Sequence, residues 1–181
     1  MNKLEIINVG NGDSNYKGNF VKKEIKIIES NIFGNTLHLF SGRSQIGNIR
    51  IDLYCNDATY NISVENFIEE YNEFSSGKIN TVIIDSPYNE KFGNLYDNYG
   101  KNLGNIIEES KQTILFASTK KTTNLFNWLN DVLKPERIII KSWNYYILKE
   151  YQLTKGYLCY AGGYRKPTIL LIMDRKIKKD E

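Results

Sequence analysis

Short apolar runs alternate along this chain with stretches whose hydrophobic residues recur at helical spacing, the pattern of strands joined by helices. Residues 20–31, FVKKEIKIIESN, bring Phe20, Ile25, Ile27 and Ile28 towards one helical face, and Gly34 supplies a stop. Four runs then read as strands: TLHLF at 36–40, NIRIDL at 48–53, the weaker TYNISV at 59–64 and INTVIID at 79–85. ENFIEEYNEF, 65–74, has helical spacing between the last two. QTILFAS at 112–118 is a fifth strand. TNLFNWLNDVLK, 123–134, carries Leu125, Trp128, Leu129, Val132 and Leu133 on a helical stripe that Pro135 ends. RIIIKSW (137–143) and PTILLIM (167–173) complete the series.

Strands separated by helices need right-handed crossovers and so line up in parallel. The expected fold class is therefore α/β: a Rossmann-like, mostly parallel seven-stranded sheet with helices on both faces. The last two runs have no clear helix between them, which predicts an antiparallel C-terminal edge hairpin. The whole of 1–181 reads as a single domain, with 1–35 an N-terminal helical extension and 36–173 the Rossmann-like core.

Composition changes this picture little. A chain of 181 residues, 41% hydrophobic and 25% charged, is ordinary for one globular domain. No window approaches eighteen uninterrupted apolar residues, and the N-terminus MNKLEIINVG lacks the apolar core and cleavage site of a signal peptide, so a cytoplasmic protein with no membrane partner is expected. Cys55 and Cys159 lie far apart, without CxxC spacing and with only His38 to help them, which indicates neither a disulfide framework nor a metal site. His38, inside an apparent central strand, reads as a packed core histidine. The formal charge of +3 permits nucleic-acid binding without announcing it.

Candidate chemistry collects at strand ends. In an open α/β sheet the ligand sits beyond the carboxyl ends of the strands, near the switch in strand order, which singles out Phe40, Ser41, Gly42 and Arg43 after the first run, Asp52 after the second, and Asp85, Ser86, Pro87 and Tyr88 after the fourth. Gly42 lets a ligand approach the backbone closely, or serves an ordinary βα turn. Asp52 can accept ribose hydroxyls, or cap a loop. A buried strand that stops on an acid, a rigid turn and an aromatic ring is either a site or a plain Asp-Ser-Pro turn.

This order of features, an FSG turn, an acid-ended second strand, DSPY after the fourth and a terminal strand hairpin, resembles the class I S-adenosylmethionine-dependent methyltransferases. The likeness is to the amino-methyltransferases with the motif Asp/Asn/Ser-Pro-Pro-Tyr/Phe/Trp. Ser86 stands where that motif has its first proline. The resemblance implies S-adenosyl-L-methionine as cofactor, held by Phe40, Ser41, Gly42, Arg43 and Asp52, with Asn61 or Ser63 as the candidate touching its adenine. It implies that the Asp85 carboxylate and the Ser86 carbonyl accept the two hydrogens of an exocyclic amino group, with Pro87 stiffening the turn and Tyr88 stacking on a flipped-out base, an interaction worth about 1–3 kcal/mol.

Residues 141–166, KSWNYYILKEYQLTKGYLCYAGGYRK, hold six of the thirteen tyrosines and Trp143 among basic groups. They read either as a platform for unstacked bases, with Lys141, Trp143, Arg165 and Lys166 as contacts, or as a local aromatic core. The expected activity is methyl transfer to an exocyclic amino nitrogen of a nucleic-acid base, adenine first, in DNA or RNA as the partner. The chain is short for a separate target-recognition domain, so a homodimer or a separate recognition subunit is a further expectation. The rival readings are a non-catalytic nucleotide- or nucleic-acid-binding module and a small-molecule methyltransferase.

Overall fold

The computed structural model describes residues 4–10, 20–71, 77–85, 125–142, 145, 147–160 and 168–177. In chain order they form β1 (Glu5–Asn8), α1 (Lys22–Glu29), β2 (Thr36–Leu39), β3 (Ile49–Ile51), α2 (Val64–Glu69), β4 (Thr81–Asp85), a π-helix (Trp128–Leu133), β5 (Arg137–Ser142), β6 (Tyr151–Tyr160) and β7 (Thr168–Arg175). The seven strands make one mixed sheet in the order β1-β6-β7-β5-β4-β2-β3. Neighbours β3, β2, β4 and β5 run parallel, β7 lies antiparallel to both β5 and β6, and β1 joins β6 in parallel. The chain is thus α/β with a mostly parallel sheet, in line with the expected class; the hairpin expected of 137–143 and 167–173 is instead the antiparallel pair β5–β7 inside the sheet, because β6 intervenes in sequence and takes the other side of β7.

Strand membership differs from the expectation in instructive ways. The expected strand at 59–64 contributes a single parallel bridge, Ile51 to Tyr60, before Ser63 starts α2. A Ser-Val step with a hydroxyl positioned to cap the next helix wins over the β-propensity of Tyr60 and Ile62. The expected strand at 112–118 lies outside the described residues. Among the described residues the sheet also includes β1 and β6, so the β6–β7 pair is flanked by a further strand. β6 escapes a search for apolar runs because Gln152, Thr154, Lys155 and Gly156 interrupt it, and its burial alternates only loosely.

The central strands are continuous apolar runs because both faces are covered; all of β2 and all of β4 are buried. Successive side chains divide between two cores. One gathers Leu37, Leu39, Val82, Ile84, Ile138 and Ile140 with Val64 and Phe67 of α2 and with Leu125, Phe126, Trp128 and Leu129. The other gathers Ile83, Ile139, Leu170 and Ile172 with Phe20 and with Ile28 of α1. Val132, expected on the apolar stripe of its helix, is exposed while Asn130 is buried. The reason is the π-helical winding: Lys134 N–H donates to Leu129 O across five residues at 3.0 Å, which turns the stripe by one position.

Gly34 sets the start of β2. Its φ of +61° is left-handed, and a Cβ there would meet the Asn80 side chain at 2.3 Å, while Asn80 Oδ1 accepts from Asn35 N at 3.0 Å. The turn thereby pins β2 beside β4 and fixes the level at which both strands end.

Candidate functional site

The carboxyl ends of β2, β3, β4 and β5 lie side by side, and the first three carry the residues singled out in the sequence. Leu39, the last residue of β2, pairs with Ile84; Asp85, one step on, pairs with Lys141 of β5. β2 then breaks sharply. Phe40 has a φ of +59° and Gly42 one of +53°. For a bulky residue such as Phe40 that conformation costs on the order of 1–3 kcal/mol, a strain that surrounding structure must hold.

Asp52 is what holds the turn. Its Oδ2 accepts from Gly42 N at 2.9 Å, and its Oδ1 accepts from Tyr54 N and Cys55 N, each at 2.9 Å. Ser41 N also donates to Ile51 O at 3.0 Å, so the turn after β2 is laced to the end of β3 twice. A carboxylate offers about four acceptor sites. Three are occupied by backbone N–H groups, which leaves room for one further donor rather than two. The Ser41 hydroxyl is buried at this turn and has no hydrogen-bond partner among the described residues. Arg43, next along, is exposed. Asn61 closes the loop after β3 by donating to the carbonyls of Cys55 and Asp52, and Ser63 accepts from Asn66 N at 3.1 Å as the N-cap of α2. Both polar side chains near the expected third strand therefore have local structural tasks.

Asp85 ends β4 and is buried, at 5% exposure. By strand alternation it shares a face with Ile83, the face on which α1 packs. Ser86, Pro87 and Tyr88 lie outside the described residues, as do Trp143, Arg165 and Lys166. Lys141, expected as a nucleic-acid contact, is buried: its ammonium donates to Glu24 Oε2 at 2.7 Å and sits 5.1 Å from the Phe20 ring centroid. The same Glu24 oxygen accepts from Val21 N at 3.0 Å at the start of α1.

Glu24 is the site-adjacent residue that the sequence reading missed. Its signal was present, since Phe20, Glu24 and Ile28 are spaced four apart and an acid on an apolar stripe is out of place unless it has a buried partner. Two other groups complete this face. His38 Nδ1 bonds to Ile46 O at 3.0 Å while its ring stacks on Phe20, and burial drives its pKa down to about 4. Burial first, and then the Glu24 charge, push the Cys159 thiol up to about 12. His38 is thus the packed core histidine expected, and Cys159 is an unreactive thiol.

Of the six tyrosines in 141–166, Tyr151 is fully buried, with its hydroxyl donating to Pro135 O at 2.8 Å, and Tyr157 is half-buried against the α1-side core. Tyr160 is 43% exposed at the end of β6. For Tyr151 and Tyr157, then, the core explanation of the aromatic cluster holds. Among the described residues no three His, Cys, Asp or Glu gather as a metal site, and no helix is long and apolar enough to cross a membrane. No family model matches the chain, and no curated protein matches it.

Proposed function

We propose that this protein is a Rossmann-like, S-adenosylmethionine-dependent amino-methyltransferase acting on a nucleic-acid base, adenine foremost. The observation that carries the reading is the alignment of the strained Phe40–Arg43 turn, Asp52 and Asp85 at neighbouring carboxyl ends in the parallel part of the sheet, where α/β proteins hold their ligands. The strand order, with an antiparallel strand between two that run with the rest, and the two cores that draw on α1 on one side and α2 and the π-helix on the other, support a doubly covered sheet.

The residues present fit the cofactor with one adjustment. The turn offers bare backbone at Gly42 and the unpartnered Ser41 hydroxyl, while Asp52, with three N–H groups already accepted, would take one ribose hydroxyl. When bound, the cofactor supplies a methyl group on a sulfonium, which leaves as a thioether. Asp85 would accept one amino hydrogen and the Ser86 carbonyl the other, so that the nitrogen lone pair would be freed from the ring and available to take up the methyl group. The proton then surplus on nitrogen passes to the Asp85 side and on to water. Tyr88 would stack on the base.

Calorimetric titration with S-adenosylmethionine and S-adenosylhomocysteine, followed by mass spectrometry of DNA and RNA incubated with protein and cofactor, tests this. Binding with a gain of 14 mass units on an amino group is the expected result; no binding of either compound refutes it. The second reading, a non-catalytic nucleotide-binding module, is favoured by the structural employment of the Asp52 carboxylate, and predicts nucleotide binding without any modified base.

A further inference from the structure

We infer that Lys141 is a positioning residue for Asp85, and that Glu24 of α1 exists to hold Lys141 there. The inference rests on the reading of Asp85 as the acceptor at the reacting amino group. Asp85 and Lys141 are partners in the parallel β4–β5 register, so their Cα atoms lie about 4.8 Å apart with both side chains on the α1 face. Lys141 is fixed there by Glu24 Oε2 at 2.7 Å and by the Phe20 ring, with side-chain exposures of 9% for the lysine and 2% for the glutamate.

For stability alone this is a poor arrangement, because an apolar pair of similar volume generally serves a core as well or better. Its sense lies in the charge beside it. Glu24 reaches Lys141 from α1 and Asp85 is the neighbour of Lys141 in the sheet, and an ammonium close to a carboxylate favours the ionised form. A protonated Asp85 would offer the substrate a donor where an acceptor is required. Lys141 keeps Asp85 ionised, and Glu24 balances and anchors the lysine so that it cannot swing into the site. The other titratable or charged groups on that face are Arg137 of β5, Asp174 of β7, His38 of β2, Glu5 of β1 and Lys155, Tyr157 and Cys159 of β6; Arg137 and Asp174 pair with each other at the amino end of β5, Lys155 is directed to Asn31 at 3.3 Å, and His38 is neutral above about pH 4.

The test is the titration of the Asp85 carboxyl carbon by 13C NMR, assigned with Asp85→Asn, in the wild type, Lys141→Met, Glu24→Gln and the double variant Glu24→Gln/Lys141→Met. The double variant removes both buried charges together and guards against a fold lost through one unpaired group. The Asp85 midpoint in Lys141→Met should lie about one pH unit above the wild type, and the acid limb of methyl transfer to a mixed-sequence DNA oligonucleotide should move with it, while the KM for S-adenosylmethionine is unchanged; the double variant, which also loses a neighbouring negative charge, should shift less. An unmoved midpoint in folded Lys141→Met, or, should that variant not fold, equal midpoints in Glu24→Gln and the double variant, overturns the inference. A moved midpoint in a protein that neither binds S-adenosylmethionine nor transfers methyl supports the pairing and refutes the methyltransferase reading instead.

Discussion

Strand β5 begins on Arg137 and carries Lys141 one residue from its other end, and the two ends use their cations in opposite ways. At the amino end, Arg137 makes a bidentate pair with Asp174 at 2.6 and 2.9 Å, donates to Asn31 O and lies over Phe33, all partly in solvent. Lys78 and Glu136 form a further exposed pair beside it. These contacts tie loops to strands across a rim that faces water. At the carboxyl end, Lys141 is withdrawn from water, paired with an acid from a distant helix, and set beside the acid that ends β4. A charge that only fastens can stay wet; one kept dry next to another buried acid acts on that acid.

The largest effect expected at the carboxyl end is chemical. Asp85→Ala should lower methyl transfer by about 10²–10⁴ with cofactor affinity preserved, the scale of removing one positioned polar group; single-turnover rates and calorimetry together decide it, and an unchanged rate removes Asp85 from the chemistry. Breaking one buried partner comes next. Lys141→Met leaves Glu24 buried and unpaired and should cost about 3–5 kcal/mol in urea unfolding, whereas the partly solvated Arg137→Met should cost about 1–2 kcal/mol. Equal costs at the two ends would dissolve the contrast.

Acid is the third probe. His38 is held near 4 in the folded protein, below its unfolded value of about 6.5, so between those values the unfolded chain binds more protons. Its contribution is complete above about pH 6.5 and is lost as pH falls towards 4, by about 3 kcal/mol at most. Unfolding curves across that window should steepen with acid in the wild type and flatten in His38→Leu. Asp174, whose carboxyl Arg137 holds below its usual range, adds a loss only at lower pH. The smallest effect is expected for Lys78→Ala at the wet rim, where the melting temperature should not change.

Much of this fold could be read in the chain. β4, β5 and β7 have centres of β-branched and leucine residues, and β2 sets two leucines about the packed His38, because both their faces are covered, and Phe20, Ile25 and Ile28 reveal α1 by spacing alone. β6 could not be read that way, since its stability comes from pairing with β7 and β1 rather than from its own side chains. Gly42 and Asp52 meet, and Asp85 ends the strand beside them, yet these bonds were not legible: nothing in the sequence says that Asp52 accepts from Gly42, or that Ser63 caps α2. Lys141 looked like a surface base because sequence shows the charge of a side chain and hides its depth; Glu24, 117 positions away, supplies the missing half.

The pairing of Glu5–Asn8 with Tyr157–Tyr160 joins a strand near the start of the chain to one near its end. During synthesis β1 is made first and can be placed last, after about 150 residues have emerged, and such long-range closure is slow. Until it occurs, the outer rim of the ten-residue β6 is an open row of hydrogen-bonding groups, the kind of edge that recruits other chains. Folding yield should therefore depend on those four residues far more than their share of the core suggests: a chain trimmed of residues 1–10 should refold with native-like spectra at low concentration and associate as concentration rises, with Gln152 and Lys155 the only charged or amide side chains on the exposed rim left to oppose it.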